Sequence, residues 1–197
     1  MLFNSNDIYE NLVNDDLALF HKNGDASSPG LNRLIATQSF AELDQVFEGI
    51  YPGCIFNMMS DGKWSMVHLL TRILQDTGPA EVWATTWSAN EDSIRSLIDL
   101  RKAGYFTSLN FLFDFRVRKY RPAAYFLAKE NFNSKIASCH AKVTVIINDK
   151  WSVSIIGSPN YTRNDRIEAV VIFESREIAE FHKNWILKKM ELASDEI

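Results

Sequence analysis

Two short clusters in the C-terminal part of the chain carry residue types suited to phosphoryl chemistry. His140-Ala141-Lys142 comes first. After an apolar run and a turn, Gly157-Ser158-Pro159-Asn160 follows. If the first cluster lies on a strand, His140 and Lys142 project from one face. A nucleophile then sits beside a fixed cation. Gly157 lets the backbone approach a ligand closely, and Ser158 and Asn160 offer a hydroxyl and a carboxamide. Together these groups provide an imidazole to attack phosphorus, an ammonium to hold charge, and hydrogen bonds to phosphate oxygens. Taken alone, the first cluster reads as readily as a satisfied core histidine beside a snorkelling lysine. Glu168 adds weight to the chemical reading. It shares a strand face with Val170 and Ile172, where an unpaired carboxylate is costly. A histidine nucleophile needs such a group to fix its tautomer. The other reading of Glu168 is a solvated edge-strand side chain.

The elements that must position these residues follow from local pattern. Lys135–Ile147, Trp151–Ile156 and Arg166–Phe173 read as three strands, with a tight turn at Asn148-Asp149-Lys150. Thr144 shares the face of His140 and Lys142, opposite Ala141, Val143 and Val145. An amphipathic helix from Ser175 to Leu192 closes the chain. Upstream, Ser39–Ile50 reads as a helix with capping-box spacing at Ser39 and Glu42, and Cys54–Met59 as a short strand. Ser65–Thr77 is a helix ended by Gly78-Pro79, with His68 off its apolar stripe. Ala80–Trp87 is a strand. A helix capped by Ser88 or Asn90 follows and is closed by Gly104. Leu109–Val117 is strand-like, and Pro122–Lys129 is helical. Lys22–Gly30 reads as a loop. The alternation of helix and strand predicts an α/β fold, a mixed β-sheet flanked by helices on both faces.

These residues carry a resemblance. His140-x-Lys142, Gly157-Ser158-x-Asn160 and the later Glu168 resemble the HKD signature of the phospholipase D superfamily, over roughly residues 134–173. The chain is similar to the small single-motif bacterial nucleases of that superfamily. The resemblance implies a phospholipase D-like fold and an attack on phosphorus by His140 that forms a phosphohistidine. It implies phosphate binding by Lys142 and Asn160, placement of the histidine or phosphate by Ser158, and orientation of His140 by Glu168. It implies no metal and no cofactor. The motif Asp, five residues after the lysine, is replaced by Ile147. Asp149 keeps the same strand parity and is a candidate substitute. The superfamily uses two HxK histidines per site, and this chain has one; His21, His68 and His182 lack the spacing. The resemblance therefore implies a homodimer with a composite site at a two-fold interface.

Size and charge bound the alternatives. The chain has 197 residues, 46% of them hydrophobic, and a net charge of −4. It is expected to form a single phospholipase D-like domain over 1–197, with an N-terminal extension of about 1–59 whose role the sequence does not specify. The acidic, polar N-terminus is unlike a signal peptide and no apolar run has membrane-spanning length. A cytoplasmic protein without stable membrane association is expected. Cys54 and Cys139 read as reduced thiols, and no Cys/His spacing suggests zinc. Arg116, Arg118, Lys119 and Arg121 form a basic run interleaved with Phe115 and Tyr120. It reads either as a polyanion contact or as a solvated strand end leading into a helix. The leading expectation is a metal-independent phosphodiesterase, a hydrolase acting on nucleic acid. The alternatives are a phosphate- or nucleic-acid-binding module or complex subunit without turnover, and a lipid phosphodiesterase or transferase.

Overall fold

The structure is a computed structural model that describes residues 32–37, 43, 47, 49–62, 64–163 and 165–193. Eight strands form one sheet: β1 (Asn32–Thr37), β2 (Ile55–Asp61), β3 (Ala80–Thr86), β4 (Phe106–Asp114), β5 (Asn133–Ala137), β6 (Val143–Ile147), β7 (Ser152–Gly157) and β8 (Ile167–Glu174). Their spatial order is β1-β2-β8-β7-β6-β3-β4-β5. The pairs β1–β2, β3–β4 and β4–β5 are parallel, and the remaining pairs are antiparallel. The sheet is mixed, as expected. This order brings the C-terminal ends of β2, β3, β4, β5 and β7 to the same edge as the N-terminal ends of β6 and β8.

Among the described residues, the helices from residue 64 onward are α1 (Met66–Thr77), α2 (Glu91–Lys102), α3 (Phe115–Tyr120), α4 (Pro122–Asn131) and α5 (Arg176–Leu192). Leu69, Leu70, Ile73 and Leu74 of α1, Ile94 and Leu97 of α2, and Ala124, Tyr125 and Ala128 of α4 pack on one sheet face. There they meet Phe56, Val82, Ala84, Phe111, Phe113, Ile155 and Ile172. The opposite face, with Trp83, Leu112, Val143 and Val145, is covered by Ala179, Ile186 and Met190 of α5. Helices therefore lie on both faces. Trp83 points to one face while Val82 and Ala84 point to the other, which is the period-two alternation of a strand buried on both sides.

Capping explains where the helices begin. Ser65 caps α1 and forms a reciprocal box with His68, whose Nδ1 accepts from the Ser65 amide at 3.3 Å. Asn90 and Ser175 cap α2 and α5, respectively. The expected loop at Lys22–Gly30 lies outside the described residues, as does most of the expected helix at Ser39–Ile50. Of the described residues in that range, Leu43 is helical while Phe47, Gly49 and Ile50 are not, so the expected helix does not extend to Ile50. Leu43 and Phe47 are buried, and the Phe47 amide donates to the Leu43 carbonyl at 2.9 Å. Phe56 and Met58 join them in the core, so the stretch before residue 60 contributes to packing.

Two strand expectations are corrected. The run Lys135–Ile147 is not one strand. It is β5 at the sheet edge and β6 beside β3, joined by residues 138–142, which belong to neither. Likewise, Leu109–Val117 ends as a strand at Asp114, whose side chain accepts the Arg116 amide and starts α3.

One hydrogen bond within α5 predicts a pH-dependent contribution to stability. The His182 Nδ1 accepts the Trp185 indole N–H at 2.9 Å, which requires an unprotonated Nδ1. Burial pushes the His182 imidazole below its ordinary range. The unfolded chain therefore takes up this proton first as pH falls below about 6.5, and the associated stability is lost as pH falls through the lower folded value. The urea midpoint should fall between about pH 7.5 and about pH 5. His182→Asn, which keeps an acceptor but does not titrate, should flatten that part of the profile. An unchanged profile would show that this histidine does not contribute.

Candidate active site at one edge of the sheet

The backbone of residues 138–142 leaves the sheet edge and crosses to β6, so it lacks regular ladder partners. Two side chains supply them. The buried Asp114 carboxylate, at the end of β4, accepts the Cys139 amide at 3.1 Å. The Thr85 hydroxyl of β3, 1% exposed, donates to the Ala141 carbonyl at 2.9 Å and accepts the Val143 amide at 3.0 Å. His140 and Lys142 are thus held on either side of a clamped peptide. Strand alternation does not place them, contrary to the sequence reading. Thr144 lies within β6, buried, and its hydroxyl meets the Tyr161 hydroxyl at 2.8 Å.

His140 is exposed, and its ring lies 5.6 Å from the Trp87 ring, centroid to centroid. Lys142 is half-buried and its ammonium donates to the His140 carbonyl at 3.2 Å. Trp87 also carries the Arg116 guanidinium, 4.9 Å from its ring centroid. Arg116 is oriented by Asp114, with Nε to Oδ1 at 2.6 Å and Nη2 to Oδ2 at 3.3 Å. Burial pushes the Asp114 carboxyl up. The hydrogen bonds from the Arg116 side chain and backbone and from Cys139 outweigh it and hold the group below the usual carboxylate range. Burial pushes the neighbouring Cys139 thiol up, which fits its reading as an inert, reduced side chain.

The second cluster closes over the start of β6. The Gly157 amide donates to the Lys142 carbonyl at 3.2 Å, and the Ser158 amide to the Ala169 carbonyl at 2.9 Å. A Cβ at position 157 would lie 2.8 Å from Val170 Cα and closer still to the Ala169 carbonyl oxygen, so only glycine fits. The Ser158 hydroxyl donates to Glu168 and accepts the Ala169 amide at 3.0 Å. Asn160 Oδ1 lies 3.1 Å from the Thr86 hydroxyl, which leaves its amide donors for other partners. Tyr161 then bonds to Ser88 and Asn90 through its backbone. The segment 157–161 is in this way strapped to β8, β6 and β3 in turn.

His140, Lys142, Ser158, Asn160 and Glu168 all lie on this edge. The expected bond between Glu168 and His140 is not formed among the described residues, where Glu168 is joined to Ser158 instead. Asp149 sits in the turn at the opposite end of β6 and cannot replace the motif Asp at this edge. In that turn Asn148 does the bonding, donating to the Thr77 and Pro79 carbonyls. Of the basic run, Arg116 reaches the site; Lys119 lies 5.1 Å from the Tyr120 ring centroid, and Arg121 is exposed. Arg118 is half-buried on α3. Sequence reasoning missed Thr85, Trp87 and Asp114. Asp114 ends β4, Trp87 directly follows β3, and all three stand near the carboxyl ends of parallel strands, where α/β folds place ligand sites. Among the described residues, no group of three or more His, Cys, Asp or Glu side chains could hold a metal ion.

Comparison with known proteins places this architecture. No family model matches the chain and no curated protein matches it in sequence. Among solved structures it resembles polyphosphate kinase from Porphyromonas gingivalis, with a TM-score of 0.53 and 11% identity over 72% of this chain. That kinase has a phospholipase D-like fold. The fold is phospholipase D-like. The archaeal chromatin protein TrmBL2 is also similar, with a TM-score of 0.50 and 11% identity over 79% of this chain. The chain spans 26% of the kinase and 59% of the chromatin protein. Among the described residues, no helix is long and apolar enough to cross a membrane.

The clamp can be tested by substitution. Thr85→Val keeps the shape but leaves the Ala141 carbonyl and Val143 amide without their partner. The expected loss is about 1–3 kcal/mol in urea unfolding, and Thr85→Ser should recover most of it. A valine variant as stable as the parent would remove Thr85 from this role.

Proposed function

We propose that the chain is a metal-independent phosphodiesterase acting on nucleic acid, with His140 as nucleophile. The observation that carries this reading is the strap from Gly157 to Asn160. It brings a carboxamide and the His140–Lys142 pair, far apart in sequence, to one open edge of the sheet. A ring nitrogen of His140 attacks phosphorus, forming an N–P bond as the P–O bond to the leaving group breaks. Lys142 and Asn160 stabilise the charge that builds on the non-bridging oxygens. Ser158 and Glu168 act by fixing the strap. The leaving oxygen takes a proton from His140 of a second copy. Water then breaks the N–P bond and returns a proton to that second histidine. The exposure of His140 supports this use, because a second copy and a polymeric substrate must both reach it. The phospholipase D-like fold supports phosphoryl transfer as the reaction class, and the similar TrmBL2 structure is described as showing a mode of DNA binding.

A second reading, a binding module without turnover, draws on the Ser158–Glu168 bond, which engages the carboxylate expected to orient His140. Vanadate separates the two. A working nucleophile forms a pentacoordinate adduct, while an inert pocket shows anion occupancy alone.

Cleavage of DNA or RNA should proceed in EDTA, and His140→Ala should lower it by at least about 10³-fold without loss of folding. Light scattering at micromolar concentration should show a dimer. Cleavage that requires added magnesium, or a monomer that cleaves at full rate, would overturn the mechanism.

A further inference from the structure

The surface beside His140 has a second character that phosphate chemistry does not use. Trp87, Arg116, Phe115, Lys119, Tyr120 and Arg121 alternate ring and cation along one path. It begins at the catalytic edge and continues along α3. The Arg116 guanidinium lies 4.9 Å from the Trp87 ring centroid and 5.6 Å from that of Phe115. With Nε and Nη2 held by Asp114, its Nη1 has no hydrogen-bond partner among the described residues. Phe115 is 39% exposed and Tyr120 64% exposed, so both rings are open to solvent. Tyr120 follows Arg116 by four residues, about one turn and about 6 Å along the same helix face, and Phe115 flanks the Arg116 guanidinium.

We infer that this path is a stacking platform for single-stranded nucleic acid, leading an unpaired strand into the His140 site. The inference rests on the nucleic-acid reading above and narrows its substrate class. Aromatic faces can stack only on bases that are unpaired and splayed, because a duplex presents base edges and phosphates. Duplex binding draws its affinity from many phosphate contacts. The net charge of −4 and the small number of cations on this path are a poor match for that mode. The groove beside Tyr120 supports the same assignment. Its lining includes Asn90, Glu91, Asp92 and Arg121. The two carboxylates repel a phosphate there, whereas Asn90 and Arg121 can hydrogen-bond a base edge while Tyr120 covers its face. Phosphates then run along the side of Arg116 and Lys119.

Fluorescence anisotropy with labelled dT and rU oligonucleotides of about 12 residues and a duplex of equal length tests this, using the His140→Ala chain to keep the strands intact. The two single strands report whether the sugar matters. Either one should bind at least about tenfold more tightly than the duplex. Phe115→Ala with Tyr120→Ala, both exposed and checked for folding by circular dichroism, should weaken single-strand binding at least about fivefold and leave duplex binding unchanged. Equal affinity for duplex and single strand, or an equal loss on both, overturns the platform. Hydrolysis of bis(p-nitrophenyl) phosphate by the unsubstituted chain is measured alongside. Hydrolysis without a single-strand preference sinks the platform and leaves the phosphodiesterase reading standing. Single-strand binding that depends on the rings, without hydrolysis, does the reverse.

Discussion

One buried carboxylate ties together the parts of this site. Asp114 ends β4, caps α3, receives the Cys139 amide and orients Arg116. Each of these bonds answers a need created by the topology. The chain leaves β5 at the edge of the sheet and must pass β4 and β3 before it enters β6. Backbone groups on that crossing have no ladder partner, and buried ones must find another. Asp114 and Thr85 provide it. His140 therefore stands on a backbone fixed from two strands, with its side chain outward. The same carboxylate sets Arg116, so the position of α3 and that of His140 are determined by one group. Because four hydrogen bonds outweigh its burial, Asp114 remains ionised through the neutral range.

The second half of the site is held differently. The strap from Gly157 to Tyr161 crosses three strands and is fastened at each. Close approach to β8 demands glycine at 157. The Ser158 hydroxyl, bonded to Glu168 and to the Ala169 amide, locks the next residue. Tyr161 anchors the far end beneath the surface, where its hydroxyl pairs with Thr144 and burial pushes its ionisation up. Asn160 is suspended between these anchors with Thr86 behind it. A side chain placed this way presents its donors without reorganising, which is the condition under which hydrogen bonds stabilise a developing charge most effectively.

Much of this was legible from local pattern. The period and caps of α1, α2 and α5 are strong, and their boundaries agree with the structure to within one or two residues. The strands β3, β7 and β8 are equally clear. The break between β5 and β6 was not legible. Ala137-Ser138-Cys139 continues an alternating pattern without Gly or Pro, and the break is made by Asp114 and Thr85, 25 and 56 residues away from the groups they bind. Asp114 itself was hidden inside an apolar run, where a strand end looks like a strand interior. The partner expected for Glu168 is His140, and strand parity does not reveal that Glu168 bonds to Ser158. Parity describes faces, whereas the strap is a loop that folds back over an edge.

Charge bears on the proposed chemistry in the same local way. The chain as a whole is acidic, with a net charge of −4, yet a phosphate must be drawn to this edge. Two carboxylates at this edge are engaged, Asp114 with Arg116 and Cys139, Glu168 with Ser158. The Asp114–Arg116 pair is close to neutral as a unit, and Lys142 adds a positive charge beside His140. That is enough to position one phosphate and too little to hold a polyanion by ion pairing alone, since each such contact is screened by salt. On the proposed reading, binding of a longer strand draws on a contribution that does not scale with charge. On this edge, the exposed rings that continue from Trp87 along α3 are the groups placed to provide it.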